Sequence, residues 1–223
     1  EGDEYDTAFF DKGPKFLHFH PQMAVLTSVE FDHADIFDDL DHVKRTFQGF
    51  ISGLSGSSLL LAYDGDKNVA GLIDSTHCRI ENYGKNISSK WRLGPISVES
   101  PWTTFEIIKN NETLAAFKTR LFGEHNLLNA LAVIAIADQL KIPLQAIAGA
   151  LETFEGIKRR QEIRGEKRQI TVIDDFAHHP TAVRETIRAV KSVHSNGRLI
   201  AVFEPRTNTS MRSIFQNEYP QSF

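Results

Sequence analysis

A mixed α/β chain built on a mainly parallel sheet is the fold class this sequence predicts, and three observations lead there. Short apolar runs without helical period recur at 23–29, 59–62, 170–173 and 199–203. Stretches with an apolar face at helical spacing lie between several of them, and the strand-then-helix pattern restarts after Phe154-Glu155-Gly156. Such alternation favours parallel strands with right-handed crossovers, and ligands on these sheets gather at the carboxyl ends of the strands. At 223 residues the chain can hold two modest cores, so two domains are expected, 1–156 and 157–223.

The elements follow in order. The run at 23–29, bounded by Pro21 and by charges, reads as a buried strand. A helix is predicted from residue 38 to about 54, with Leu40, Val43, Phe47, Phe50 and Ile51 on its apolar face and acids in its first turn. Residues 59–62 make a second strand, whereas 64–100 mix Gly, Asn and Ser with short β-like pieces and give a poor pattern. Two β-rich runs, 104–109 and 114–119, flank Asn110-Asn111, which signals a hairpin. Helices are predicted over roughly 125–140 and 143–153, then a strand at 170–173, a helix from Pro180 to about Val193 and a strand at 199–203. The last three form a β-α-β unit, with Asp174-Asp175 and Glu204-Pro205-Arg206 at two strand ends on one rim.

Composition removes several classes of function. The formal charge is −4 and no dense Lys/Arg stripe offsets it, so nucleic acid is not an expected partner. A single cysteine, Cys78, excludes an internal disulfide. No apolar run reaches about 18 residues or has the form of a signal segment, so neither a membrane span nor export is expected and the setting is cytoplasmic. The chain starts at Glu1 inside a polar motif and stops at Phe223 soon after a new helix begins, so further chain is expected at both ends.

The most telling residues are Asn126 and Asn129, one helical turn apart in Gly123-Glu124-His125-Asn126-Leu127-Leu128-Asn129, where packing alone would favour aliphatics. A carboxamide offers a donor beside an acceptor, the complement of the N6/N7 edge of adenine; a helix cap plus a buried amide is the competing account. Glu1, Asp3, Glu4 and Asp6 crowd the start, and Asp32, His33 and Asp35 follow the first strand. Carboxylates with one imidazole suit Mg²⁺ or Mn²⁺ chelated with phosphate better than a zinc cage, although a solvated acidic loop has the same composition. Arg159-Arg160 after Gly156 could clamp a phosphoryl group or form an exposed basic turn. Asp174-Asp175-Phe176-Ala177-His178-His179-Pro180 joins a strand to a helix and leaves acids and imidazoles at the sheet rim, where a carboxylate can accept both ribose hydroxyls and one histidine can cap the helix. Arg206-Thr207-Asn208-Thr209 adds donors suited to a carboxylate.

Taken in order, Glu1-Gly2-Asp3-Glu4-Tyr5-Asp6, Glu30-Phe31-Asp32-His33-Ala34-Asp35, the segment from Gly123 to Asn129, Phe154-Glu155-Gly156-Ile157-Lys158-Arg159-Arg160 and the segment from Asp174 to Pro180 resemble the Mur ligase family of ATP-dependent amide-forming enzymes. The resemblance implies part of a central ATPase domain followed by the start of a Rossmann-like C-terminal domain. Within the family, Tyr5 to Lys12, Phe31 to Leu40 and Phe203 to Thr209 are similar to the branch that joins UDP-N-acetylmuramate to the recycled murein tripeptide L-alanyl-γ-D-glutamyl-meso-diaminopimelate. The alternative substrate pair is UDP-N-acetylmuramate and L-alanine, although that branch is expected to read His-Arg-Tyr-Thr where Arg206-Thr207-Asn208-Thr209 stands.

The resemblance implies ATP and Mg²⁺ as cofactors. Glu1 and His33 would be the metal ligands; His125, Asn126 and Asn129 would hold adenine; Arg160 would meet the γ-phosphate and Asp175 the ribose; Arg206, Asn208, Thr209 and His178 would face the substrate. His33 and Arg160 would be the catalytic pair. Three departures stand out. The family's glycine-rich phosphate loop and its UDP-sugar domain are not in these residues, so this stretch alone should not catalyse; Ser28 stands where Asn is usual; and Gln48, with Lys44 a turn away, lies near the place of a carbamylated lysine. A metal-dependent hydrolase, suggested by His18, His20, His33, His178 and His179, and a non-catalytic nucleotide-binding module are the competing functions.

Overall fold

Residues 2, 4–6, 13–74 and 76–223 are described in the computed structural model. Glu1, expected to ligate metal, and the stretch 7–12 that contributed to the resemblance lie outside the described residues. The chain divides into two compact units that interleave in sequence: Glu1–Leu93 with Ile107–Leu114 and Leu131–Ile136, and Gly94–Glu106 with Ala115–Ala130 and Ala137–Phe223.

The first unit carries β1 (Met23–Leu26), α1 (Leu40–Ser52), β2 (Leu59–Tyr63), α2 (Lys67–Ile73) and β3 (Arg79–Gly84). Strands β1, β2 and β3 are parallel, in register Met23 with Leu59 and Leu59 with Arg79. Residues 59–62 of β2 are wholly buried, as expected for a strand covered on both faces. Helix α1 starts where Asp39 accepts a hydrogen bond from the His42 N–H at 2.7 Å, and it buries Val43, Phe47 and Ile51 at helical spacing. These pack with Phe16, Val29, Leu60 and Val69, and the Phe16 and Phe47 rings stack at 5.0 Å. Each such side chain contributes about 1.5–3 kcal/mol when fully buried.

The expected strand at 23–29 stops at Leu26 because its continuation is held elsewhere. The Val29 N–H donates to Asp66 Oδ2 at 2.7 Å and its carbonyl accepts from Asn68 Nδ2 at 2.7 Å. Asp66 also caps α2 through the Asn68 and Val69 N–H groups, so one carboxylate ties the exit of β1 to the start of α2.

Strands β4 (Trp91–Glu99), β5 (Trp102–Lys109) and β6 (Glu112–Thr119) complete a six-stranded sheet in the order β1-β2-β3-β4-β5-β6, with β3 and β4 parallel. The predicted hairpin forms: Asn110 and Asn111 adopt φ of 52° and 67° between β5 and β6, as a two-residue primed turn requires. Where β3 meets β4, Glu81 is only 5% exposed, with its carboxylate 2.6 Å from Lys90 Nζ and 2.8 Å from Trp91 Nε1. Burial raises its pKa, but hydrogen bonds from Lys90 and Trp91 and the charges of Lys90 and Arg79 outweigh that and hold it below the ordinary value.

Helix α3 (Glu124–Gln139) begins in the second unit, which also carries α4 (Leu144–Thr153), β7 (Glu162–Lys167), β8 (Ile170–Asp174), α5 (Pro180–Val193) and α6 (Tyr219–Ser222). Pro180 opens α5, and His179 Nδ1 accepts from the Thr181 N–H at 3.3 Å, matching the predicted cap. The expected parallel β-α-β unit does not form. Strand β8 pairs antiparallel with β7 through the left-handed Arg168 and Gln169, and residues 199–203 join no ladder. Apolar composition cannot supply a ladder partner. A cavity of about 520 Å³, lined by Thr171, Ile173, Val183, Ile187, Leu199 and Phe203 among others, separates this stretch from β8, and Val202 is 93% exposed.

Among the described residues no helix is long and apolar enough to cross a membrane.

Candidate functional site

In the second unit the start of α3 is set by Gly123, whose φ is +88° and whose position leaves no room for a side chain: a Cβ there would lie 2.4 Å from that of Ala189 on α5. The Gly123 carbonyl accepts from the N–H groups of Asn126 and Leu127, at 3.1 and 3.3 Å. This turn presents His125 and Asn126 towards the loop 159–161, while Asn129 is exposed one turn further on.

Asn126 Nδ2 donates to the Phe122 carbonyl at 2.9 Å and to Gln161 Oε1 at 3.0 Å. Gln161 Nε2 lies 3.3 Å from His125 Nε2. The Gln161 backbone N–H donates to Asp175 Oδ2 at 2.8 Å, and Asp175 Oδ1 accepts from the Ala177 N–H at 2.7 Å. Thus the helix start, the arginine loop and the exit of β8 form one hydrogen-bonded cluster. Asp175, expected to meet a ribose, uses one lone pair on each oxygen for backbone, leaving capacity for further donors.

Burial lowers the His125 pKa below its ordinary value; the carboxylates of Glu185 and Asp175 oppose this, and the Arg160 charge adds to it. The ring is therefore neutral near pH 7, with a buried Nδ1 that has no hydrogen-bond partner among the described residues.

The arginine pair is split by backbone geometry. Arg159 and Gln161 both have left-handed φ, 59° and 53°. The Arg159 guanidinium lies over the Phe176 ring at 4.4 Å, the Arg159 backbone N–H donates to Glu162 Oε2, and the Arg159 backbone carbonyl accepts from the Phe176 N–H. Arg160 is left exposed, near enough for its charge to act on His125. Of the two, it is the one placed to meet an anion.

His33 belongs to the first unit, on the turn after β1. Its φ is 49°, its N–H donates to Asp32 Oδ1 at 2.7 Å, and its carbonyl accepts from Ile36 and Phe37. The ring packs edge-on to Tyr5 at 4.3 Å, with Nε2 3.6 Å from Glu4 Oε2. Among the described residues no group of three or more His, Cys, Asp or Glu could hold a metal ion. An imidazole beside one carboxylate suits an ion that keeps waters and shares phosphate oxygens, the habit of Mg²⁺, and does not suit a closed protein cage. Among the described residues the hydrolase reading finds no metal-holding cluster, and His18 and His20 lie exposed.

The expected substrate-facing residues are not brought together in this way. Arg206 Nε pairs with Glu204 at 3.1 Å on the surface, Asn208 is exposed, and Thr209 is buried beside a Thr207–Ser210 turn. His178 Nδ1 donates to the Phe176 carbonyl at 2.9 Å, and its own carbonyl accepts from the Tyr219 hydroxyl at 2.6 Å. Gln161, which bridges Asn126 and His125, was not among the sequence candidates. Its only signal was a polar residue directly after the arginine pair, and its partners lie about 35 positions away.

The profile of the Mur ligase middle domain matches residues 12–137, and that of the Mur ligase glutamate ligase domain matches residues 159–218. The chain is 36% identical over 219 residues to the UDP-N-acetylmuramate–L-alanyl-gamma-D-glutamyl-meso-2,6-diaminoheptandioate ligase of Haemophilus influenzae, covering 98% of this chain and 48% of that protein. It is 35% identical over 208 residues to the UDP-N-acetylmuramate–L-alanine ligase of Clostridium tetani, covering 93% and 45%. Among solved structures, a murein peptide ligase from Psychrobacter arcticus is 34% identical with a TM-score of 0.68, covering all of this chain and 45% of its own. The UDP-N-acetylmuramate-alanine ligase from Thermotoga maritima has a TM-score of 0.72 at 25% identity, covering 92% and 44%. The chain spans about half the length of the curated relatives it matches.

Proposed function

This chain belongs to the Mur ligase family, and on that premise we propose that it supplies much of the ATP-using site of a ligase that joins UDP-N-acetylmuramate to L-alanyl-γ-D-glutamyl-meso-diaminopimelate through an acyl phosphate. In that reading residues 1–156 are part of a central nucleotide-binding domain and 157–223 part of a Rossmann-like C-terminal domain. The setting is the cytoplasm. The observation that carries the nucleotide role is the cluster of Asn126, His125, Gln161 and Asp175, a part-buried polar network at a helix start with an exposed cation, Arg160, beside it.

Asn126 and Asn129 present carboxamides to the base, and Asp175 receives the ribose hydroxyls on lone pairs that the backbone leaves open. Arg160 offsets charge on the transferring phosphoryl group, where its exposure lets it move to the anion. His33 and Glu1 hold Mg²⁺, with Glu4 alongside. The metal, when bound, neutralises phosphate charge. Arg206, Asn208, Thr209 and His178 are assigned to the substrates by family likeness alone, and their own contacts add no support. Joining a carboxylate to an amine in this way is mainly a matter of positioning and electrostatics.

The test is phosphate release by the full-length protein with ATP and UDP-N-acetylmuramate, comparing the tripeptide with free L-alanine. Turnover with the tripeptide is expected. Turnover with L-alanine alone would move the chain to the branch of its alanine-ligase relatives, and ATP binding without phosphate release would favour a non-catalytic module. Arg160→Ala should lower kcat on the order of 10³-fold, and Asn126→Ala should weaken ATP binding about tenfold.

A further inference from the structure

The hydrogen bonds around Asn126 fix more than its position. The Phe122 oxygen is a carbonyl and can only accept, so the atom 2.9 Å from it must be the amide nitrogen of Asn126. That nitrogen has two hydrogens. One goes to Phe122 and the other to Gln161 Oε1 at 3.0 Å. Both donors are committed, and the open function of the carboxamide is its oxygen.

The same reasoning runs outward. With Gln161 Oε1 turned to Asn126, its Nε2 is the atom facing His125 Nε2 at 3.3 Å, so that ring nitrogen accepts and the imidazole proton sits on Nδ1. Gln161 is itself held: it is 8% exposed, its backbone is left-handed at φ 53°, and its N–H is fixed by Asp175. Its amide is an anchored strut.

We propose that Gln161 is a positioning residue which makes Asn126 an acceptor-only reader and so selects a 6-aminopurine nucleotide over a 6-oxopurine one. The inference rests on the nucleotide reading given above and deepens it. A 6-amino group donates a hydrogen and meets the Asn126 oxygen; a 6-oxo group brings an acceptor against an acceptor. Without the Gln161 oxygen, one Asn126 N–H is released and can serve the 6-oxo group, so discrimination falls while the site stays in place.

The experiment compares ATP with inosine triphosphate, which differ at that position, by calorimetric titration of the full-length protein, wild type and Gln161→Leu. The wild type is expected to prefer ATP, and Gln161→Leu to narrow the preference about tenfold, mainly by binding inosine triphosphate better. Gln161→Glu keeps an acceptor for Asn126 and should restore the preference, which a merely structural role would not predict. It should also move the His125 proton to Nε2, because a carboxylate oxygen now demands a donor there; ¹⁵N shifts of the imidazole read this directly.

A wild type that binds neither triphosphate overturns the nucleotide reading and this inference with it. A wild type that prefers ATP, with an unchanged preference in folded Gln161→Leu, overturns the role of Gln161 alone. Should that variant not fold, the ¹⁵N measurement on the wild type decides: a proton on Nδ1 supports the network, and a proton on Nε2 overturns it.

Discussion

In the first unit a carboxylate, Glu81, is withdrawn from water yet kept charged; in the second an imidazole, His125, is withdrawn and kept neutral. The difference lies in what the neighbouring elements bring. Strand β3, the start of β4 and the residue just before it aim the Arg79 guanidinium, Trp91 Nε1 and Lys90 Nζ at Glu81, so every nearby donor favours the ionised form. Around His125 the nearby acids are opposed by burial and by Arg160, its Nε2 is met by an amide, and Nδ1 has no partner among the described residues. A saturated buried charge fixes a corner of a sheet. A part-buried ring with an unpartnered atom keeps the capacity for one more hydrogen bond.

The largest test of that contrast is Glu81→Ala, which leaves the buried Trp91 N–H without its acceptor and returns the one-third-exposed Lys90 cation to water, and should cost about 3 kcal/mol in urea unfolding. Glu81→Gln, which keeps an acceptor for Trp91, should cost less; equal losses would show that the corner depends on the charge and not on the acceptor. On the other side, Gly123→Val puts a branched side chain at φ +88° against Ala189 and beneath the His125 ring. It should cost about 2–3 kcal/mol by the same measurement.

Acid should separate the two groups. Both pKa values are lowered in the fold, so in each case the unfolded chain takes up protons first and stability falls as pH falls. The His125 contribution is complete above the ordinary 6.5 and is lost as pH drops from there through its folded value. The Glu81 contribution is complete above the ordinary 4.5 and is lost as pH drops through its own. Proton NMR should find His125 titrating below 6.5, and Glu81→Gln should flatten only the lower window. The smallest effect is expected for Arg160→Ala, an exposed position, at within about 0.5 kcal/mol of wild-type stability. Its His125 midpoint should nevertheless move upward, since a charge that depresses it has gone.

Much of the fold could be read from residues that act locally. Asp39 before an apolar face, Pro180 opening α5 and Asn110-Asn111 between β runs each carry their geometry with them. What could not be read depends on partners far away in sequence. Strands β3 and β7 are rich in charge, and each exists because a neighbouring strand completes its ladder. The 199–203 stretch is the reverse, an apolar run whose ladder is missing. The site divides in the same way: Asn126, Asp175 and Arg160 announced themselves by residue type, but Gln161 matters only through contacts that span most of the second unit.

The chain contains two tryptophans, and the fold places one in each unit. Trp91 is sealed in the first with its indole N–H on Glu81, whereas Trp102 in the second lies under Lys118 Nζ at 4.2 Å and the Arg120 guanidinium at 5.1 Å. Intrinsic fluorescence therefore carries two reporters with different surroundings, and Trp91→Phe and Trp102→Phe would each silence one. Coincident denaturation curves from the two singly emitting variants would mean that the interleaved units melt as one cooperative body, and separated curves would give each half a stability of its own.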